Sequence, residues 1–172
     1  MASGLSNKLT AQIGEYLACA ELGRHGLIAT TFTGNVPDYD LLVCDGQLKT
    51  IPIQVKTTRG ASWPSQAGQW MRIEFDHKAK QQINRGRQSV ENSGLVYICI
   101  ALGKKRSEDR FFICQKRDIQ DACIKSYKRY MDPKDWKRPK NYKSLDNRYH
   151  VEDLEHFEDN WLLVSRLLSG IE

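Results

Sequence analysis

The first apolar residues of the chain are spaced as they are on a helix. Leu9, Ile13, Leu17, Ala20 and Leu22 recur at near-helical intervals, Ser6 or Thr10 can cap the segment, and Gly23 and Gly26 end it. The period then shortens. Residues 27–33 read as a strand closed by Gly34-Asn35, and residues 39–44 form a second, short apolar strand. Asp45-Gly46 supplies a hairpin turn, after which residues 48–57 return antiparallel. Pro52 has no N–H for a central ladder and is expected at an edge or a bulge. Residues 69–75 predict another strand, and 78–87 a basic helix. The unbroken apolar run 94–102 predicts a strand buried on both faces, followed by the charged turn 104–109 and a strand over 110–115. A helix over 117–131 carries Ile119, Ala122, Cys123, Ile124 and Tyr127 on one side, and Asp132-Pro133 stops it. Beyond an irregular basic stretch, 151–157 and 160–168 predict short helices.

This order predicts an α/β fold: a mixed central sheet flanked by helices, opening with a helix and a three-strand meander and ending in a helical C-terminal extension. At 172 residues the chain fits a single domain over 1–172, with a core of about 8–131 and an extension of about 132–172. A domain of this size buries roughly 70% of its unfolded surface and needs no disulfide or metal to fold. No run approaches the ~20 apolar residues of a membrane span, and the N-terminal residues lack a charged-then-apolar leader, so a cytoplasmic protein is expected. The five cysteines are scattered, with no C-x-x-C pair, which argues against zinc; Cys44, Cys99 and Cys114 lie in apolar runs as small core residues.

Charge changes the picture more than composition does. Residues 116–150 hold eleven Lys/Arg against five Asp/Glu, interleaved with Tyr127, Tyr130, Trp136, Tyr142 and Tyr149, whereas residues 151–172 hold six acids and one base. A basic segment with aromatic interleaving suits a phosphate backbone, and a solvated helix-flanking surface is the competing explanation. Lys137, Arg138 and Lys140 are its candidate nucleic-acid contacts.

The chemistry concentrates in residues 36–43 and 51–58. Asp40 opens a strand whose next residues are apolar, which sets a carboxylate at a strand end over a core. Gln54 and Lys56 are two apart, so they project from one face of the returning strand, while Ile53 and Val55 point to the other. A lysine among apolar strand neighbours is costly unless it pairs or binds something. Magnesium takes oxygen ligands and often only one or two carboxylates. Asp40, the Gln54 amide oxygen and the Val55 carbonyl offer three oxygens, with Lys56 beside the attacking water and the developing phosphorane charge. Thr57, Thr58 and Arg59 at the strand end are candidate phosphate contacts. No phosphate-cradling Gly-x-x-x-x-Gly-Lys loop, nucleophile elbow or metal-like histidine spacing is present.

Pro37-Asp38-Tyr39-Asp40, thirteen residues, then Gln54-Val55-Lys56 resembles the PD-(D/E)XK nuclease motif, and Glu15 within Gly14-Glu15-Tyr16-Leu17 matches the helix-borne glutamate of its Holliday-junction-resolvase-like branch. The resemblance covers roughly residues 10–60 by motif and extends to about 115 by element order. It implies a restriction-endonuclease-like core and cleavage of DNA or RNA dependent on magnesium, with manganese able to substitute. Asp40 is then the main metal ligand, Lys56 the water-orienting or charge-stabilising base, and Glu15 a carboxylate reaching the metal or its waters. Asp38, which follows the proline directly, competes with Asp40 for its role and otherwise caps a turn. One departure stands out: Gln54 occupies the usual acidic position, and a neutral amide binds magnesium more weakly than a carboxylate. The expected function is a DNA endonuclease, branched or structured DNA among its substrates, with a homodimer suited to cutting two strands. The alternatives are a nuclease-fold protein that binds without cutting, and an interaction protein whose basic segment and acidic tail pair with each other.

Overall fold

The computed structural model describes residues 3–34 and 38–170, so Pro37 of the motif lies outside the described residues. Helix α1 (Ser3–Arg24) leads into strands β1 (Ile28–Thr31), β2 (Leu41–Cys44) and β3 (Thr50–Thr58), the expected antiparallel meander. Strand β7 (Val96–Ala101) joins β3 in parallel and β8 (Arg110–Gln115) joins β7 antiparallel, giving a mixed five-stranded sheet ordered β1-β2-β3-β7-β8. All six residues of β7 are buried, as an uninterrupted apolar run requires of a strand covered on both faces. Pro52 lies one residue before the β3–β7 pairing begins, where its missing N–H disturbs no ladder on that side.

The two faces of the sheet differ in kind. One packs Leu41, Val43, Ile53, Val55, Ile98, Ile100 and Ile113 against Ala18 and Leu22 of α1 and Val164 and Leu168 of α3 (Leu162–Ser169). The other carries Tyr97, Cys99, Phe112 and Cys114 toward α2 (Lys116–Met131) and three tryptophan and tyrosine anchors, Trp63, Trp70 and Tyr149. Asp118 at the start of α2 accepts the Gln115 backbone N–H, which fixes where β8 becomes helix.

Several expectations are corrected. Helix α1 starts well before Ser6 and Thr10, and Thr10 returns its hydroxyl to the Ser6 carbonyl at 2.8 Å. Its buried ridge is Gly14, Ala18 and Leu22, one turn apart, while Leu9, Ile13 and Ala20 face outward. Small residues form the contact because the helix lies close on the sheet: a Cβ on Gly14 would sit 1.7 Å from the Thr57 hydroxyl oxygen. The segment expected as a basic helix over 78–87 is instead strand β6 (Gln81–Arg87), paired antiparallel with β5 (Met71–Asp76). Asp76 accepts the N–H groups of Lys78 and Ala79, and this local turn folds the chain back before a helix can start. Two further strands, β4 (Ser62–Gln66) and β9 (Asp146–His150), form a second two-stranded sheet. Residues 151–157 form two short 3-10 turns. The C-terminal residues are woven into the body: Tyr149, Val151 and Leu154 enter one core, and Trp161, Val164 and Leu168 the other.

Candidate functional site

The register Leu41↔Ile53 pairs β2 with β3 so that both residues point at α1. Alternation then sends Asp40, Gln54 and Lys56 to the opposite face, where β7 presents Tyr97 and Cys99 at the positions beside Gln54 and Lys56. The sheet thus brings the predicted carboxylate, amide and lysine together on one side.

The oxygens gather at one point. Asp40 Oδ2 accepts the backbone N–H of Val55 at 2.8 Å and a second hydrogen bond from Gln54 Nε2. The same Nε2 donates to the Val55 carbonyl at 3.4 Å. One amide nitrogen therefore lies against both Asp40 Oδ2 and Val55 O, the two other oxygens proposed from the sequence. An amide is ambidextrous: turned over, it offers Oε1 at the place its nitrogen holds. Among the described residues no three His, Cys, Asp or Glu side chains form a metal-binding group, so a cation here would rely on one carboxylate, an amide and a main-chain oxygen. That hard-oxygen set suits magnesium, which completes its shell with waters and substrate phosphate.

Lys56 is exposed, and its backbone is held. Buried Trp63 donates its indole N–H to the Lys56 carbonyl at 2.9 Å and stacks on Tyr149 with ring centroids 5.3 Å apart. The lysine looks into a cleft of about 710 Å³ whose walls include Trp63, Trp70, Tyr97 and Lys116. Burial pushes the Tyr97 phenol up to about 12, with the nearby Cys99, Cys114, Asp38 and Asp40 adding to the effect. Tyr97 was not singled out in the sequence, and Lys116 entered only as the first residue of the basic segment. The only signal for Tyr97 was its parity within the apolar run.

Glu15 follows the glycine that lets α1 touch β3. Its carboxyl is raised, first by burial and then by the charge of Asp40, so the two carboxylates feel each other. Asp38 is exposed in a left-handed turn at φ 73°, and it is Asp40 that meets Gln54.

Of the remaining predicted residues Thr57 borders the same cleft as Lys56, and the others are dispersed. The Thr57 hydroxyl is enclosed against Gly14 and finds no partner among the described residues. Thr58 accepts the Gly60 N–H at 3.3 Å, and Arg59 donates to Thr10 at 2.9 Å, outside the cleft. Lys137 and Lys140 project into solvent. Arg138 turns inward: it reaches Ser144 and the Asp146 carbonyl and lies over the rings of Tyr127 and Tyr130.

The fold is a mixed α/β architecture, a five-stranded mixed sheet with helices packed on both faces. Among solved structures the chain is similar to a bacterial homing endonuclease, I-Ssp6803I, with a TM-score of 0.55 over 96% of this chain and 97% of that one, at 11% sequence identity. No family model matches the chain, and no curated protein matches it.

Proposed function

We propose that this protein is a metal-dependent nuclease of the PD-(D/E)XK type that hydrolyses phosphodiester bonds in DNA, branched or structured DNA included. The observation that carries the reading is the meeting of Asp40 Oδ2, the Gln54 amide and the Val55 carbonyl around one point, beside an exposed lysine on the same sheet face. These three groups would hold magnesium, or manganese in its place, with Glu15 as a second carboxylate within electrostatic reach. When bound, the ion polarises the phosphate and acidifies a water. The chain's own part is positional. The Trp63 bond to the Lys56 carbonyl fixes the strand, and the Lys56 ammonium holds the attacking water and donates to the phosphate oxygen as charge develops. DNA as substrate is supported by the likeness to a homing endonuclease and by the basic surface. A twofold dimer would present one such site to each strand.

Lys56→Ala is expected to lower magnesium-dependent nicking by about 10²–10³-fold while DNA binding is retained, because the lysine acts on water and transition-state charge. The measurement is single-turnover cleavage of branched, single-stranded and duplex DNA. One observation favours a second reading, a nuclease-fold protein that binds without cutting: Gln54 spends its amide as a donor to Asp40. A parent protein that binds these DNAs and nicks none of them, with either metal, would select it.

A further inference from the structure

The β5–β6 pair leaves the sheet body as a two-stranded ribbon, and its root is clamped. Gln120, buried in α2, donates to the carbonyls of Trp70 and Gln88 at 2.9 and 2.8 Å, just before and just after the ribbon. Arg87 reaches the Asp121 and Gln120 side chains of the same helix. The inner face is backed by residues 132–145. Gln82, 1% exposed, donates to the Tyr142 and Ser144 carbonyls and accepts from the Tyr127 hydroxyl at 2.6 Å, and Phe75 packs edge-on to Tyr142. Alternation turns Arg72, Glu74, Ile83 and Arg85 to the other face, where Arg72, Glu74 and Arg85 are exposed, with Lys78 and Lys80 exposed at the tip.

Charge singles out this ledge. Ribbon residues 71–87 and the loop 132–145 behind them hold ten Lys/Arg against four Asp/Glu, a surplus of six, whereas the whole chain carries a net +5. The rest of the protein is therefore slightly acidic. The ledge is also continuous with the candidate site, because Gly68, Gln69, Trp70 and Gln88 at the ribbon root wall the cleft into which Lys56 looks.

We infer that the ribbon is a DNA-docking arm that lies in the major groove of duplex next to the strand held in the Lys56 cleft. The B-form major groove admits a two-stranded ribbon. Six strand residues span about 20 Å, so the arm covers roughly six base pairs beyond the cleft. Lys78, Lys80, Lys137 and Lys140 meet phosphates, and Arg72 and Arg85, which in the free chain reach the Arg85 carbonyl at 3.0 Å and Glu74 at 2.9 Å, exchange those exposed partners for base edges. The inference rests on DNA being the partner under the proposed function, but it makes no use of catalysis.

The test is fluorescence anisotropy of a 30-base-pair B-form DNA duplex, and of an RNA duplex of the same sequence, over 50–200 mM salt. The variants are Arg72→Ala/Lys78→Ala/Lys80→Ala/Arg85→Ala and, as a charge control on the β7–β8 turn, Lys104→Ala/Lys105→Ala. Every replaced side chain is exposed, and an unchanged thermal midpoint confirms the fold. The ribbon variant is expected to lose at least about tenfold in DNA affinity and to flatten the salt dependence by about three to four units, with the control unchanged. The RNA duplex, whose deep, narrow groove excludes a ribbon, is expected to bind more weakly and to respond less. Equal DNA binding by the ribbon variant and parent overturns the docking arm and leaves the cleavage reading standing. Equal loss in the control, or equal binding and equal loss on RNA, overturns the groove assignment. A parent that binds no duplex overturns the arm, and nicking of branched DNA by the same preparation then reports separately on the site.

Discussion

The two faces of the central sheet show how one fold divides packing from chemistry. Toward α1 and α3 the strands present aliphatic side chains, Leu41, Val43, Ile53, Val55, Ile98, Ile100 and Ile113, interlocked with a helix ridge of small residues. Toward α2 they present Gln54, Lys56, Tyr97 and Cys99, and the covering elements carry aromatic rings whose polar edges are all used: Trp63 to the Lys56 carbonyl, Trp70 to Ser65, Tyr127 to Gln82. The aliphatic face closes by close contact alone. The mixed face cannot close that way, because its amides and hydroxyls need partners at set distances, and the gap it leaves is the cleft beside Lys56. Alternation places the residues of one strand in both environments, so Val55 anchors the strand that Lys56 uses.

This contrast can be broken deliberately. The largest effect is expected on the aliphatic face: Ile98→Ala removes a fully buried branched side chain from a site hemmed by strands and helices. It should cost about 2–5 kcal/mol of unfolding free energy, read by urea denaturation. A loss below about 1 kcal/mol would mean that this face is not the closely packed one. The smallest effect sharpens the other side. Glu15 has its carboxyl raised by burial and by Asp40, so its charged form is disfavoured in the folded state. Because solvent screens much of this repulsion, Glu15→Gln should raise the melting temperature by no more than about 1 °C at pH 7 in the presence of chelator. The sign sets the pH window. The gain is present above the carboxylate range and vanishes as pH falls below about 4, where the glutamate is protonated in folded and unfolded chains alike. A variant less stable than the parent at pH 7 would remove Glu15 from the carboxylate pair.

The meander and the Asp40–Gln54–Lys56 alignment were legible because their determinants are local. A hairpin turn, period-two alternation and an apolar strand fix the faces without reference to the rest of the chain. The first strand of the ribbon, β5, was legible over 69–75, but its partner β6 was not, for the opposite reason. Its inner position is Gln82, a polar residue, and what makes it an inner position is a set of hydrogen bonds far along the chain, accepted from the Tyr127 hydroxyl and donated to the Tyr142 and Ser144 carbonyls. The β4–β9 pair joins Ser62 to His150, and strands this polar give no periodic signal. On α1 the reading favoured leucine and isoleucine as the buried stripe, whereas contact distance selected Gly14 and Ala18. Arg138 was grouped with Lys137 and Lys140 by charge, yet its guanidinium is spent on Ser144, the Asp146 carbonyl and two tyrosine rings.

The central claim is that the Gln54 amide, Asp40 and the Val55 carbonyl form a cation site, and Gln54→Glu tests it most directly. If the amide is a ligand, the substitution adds a full negative charge where the ion sits. Calorimetric titration should then show magnesium binding tightened by about tenfold or more, and the magnesium midpoint of nicking should fall with it while Lys56 remains in place. Unchanged ion affinity in Gln54→Glu would contradict the account, because the amide would then be only the hydrogen-bond partner of Asp40.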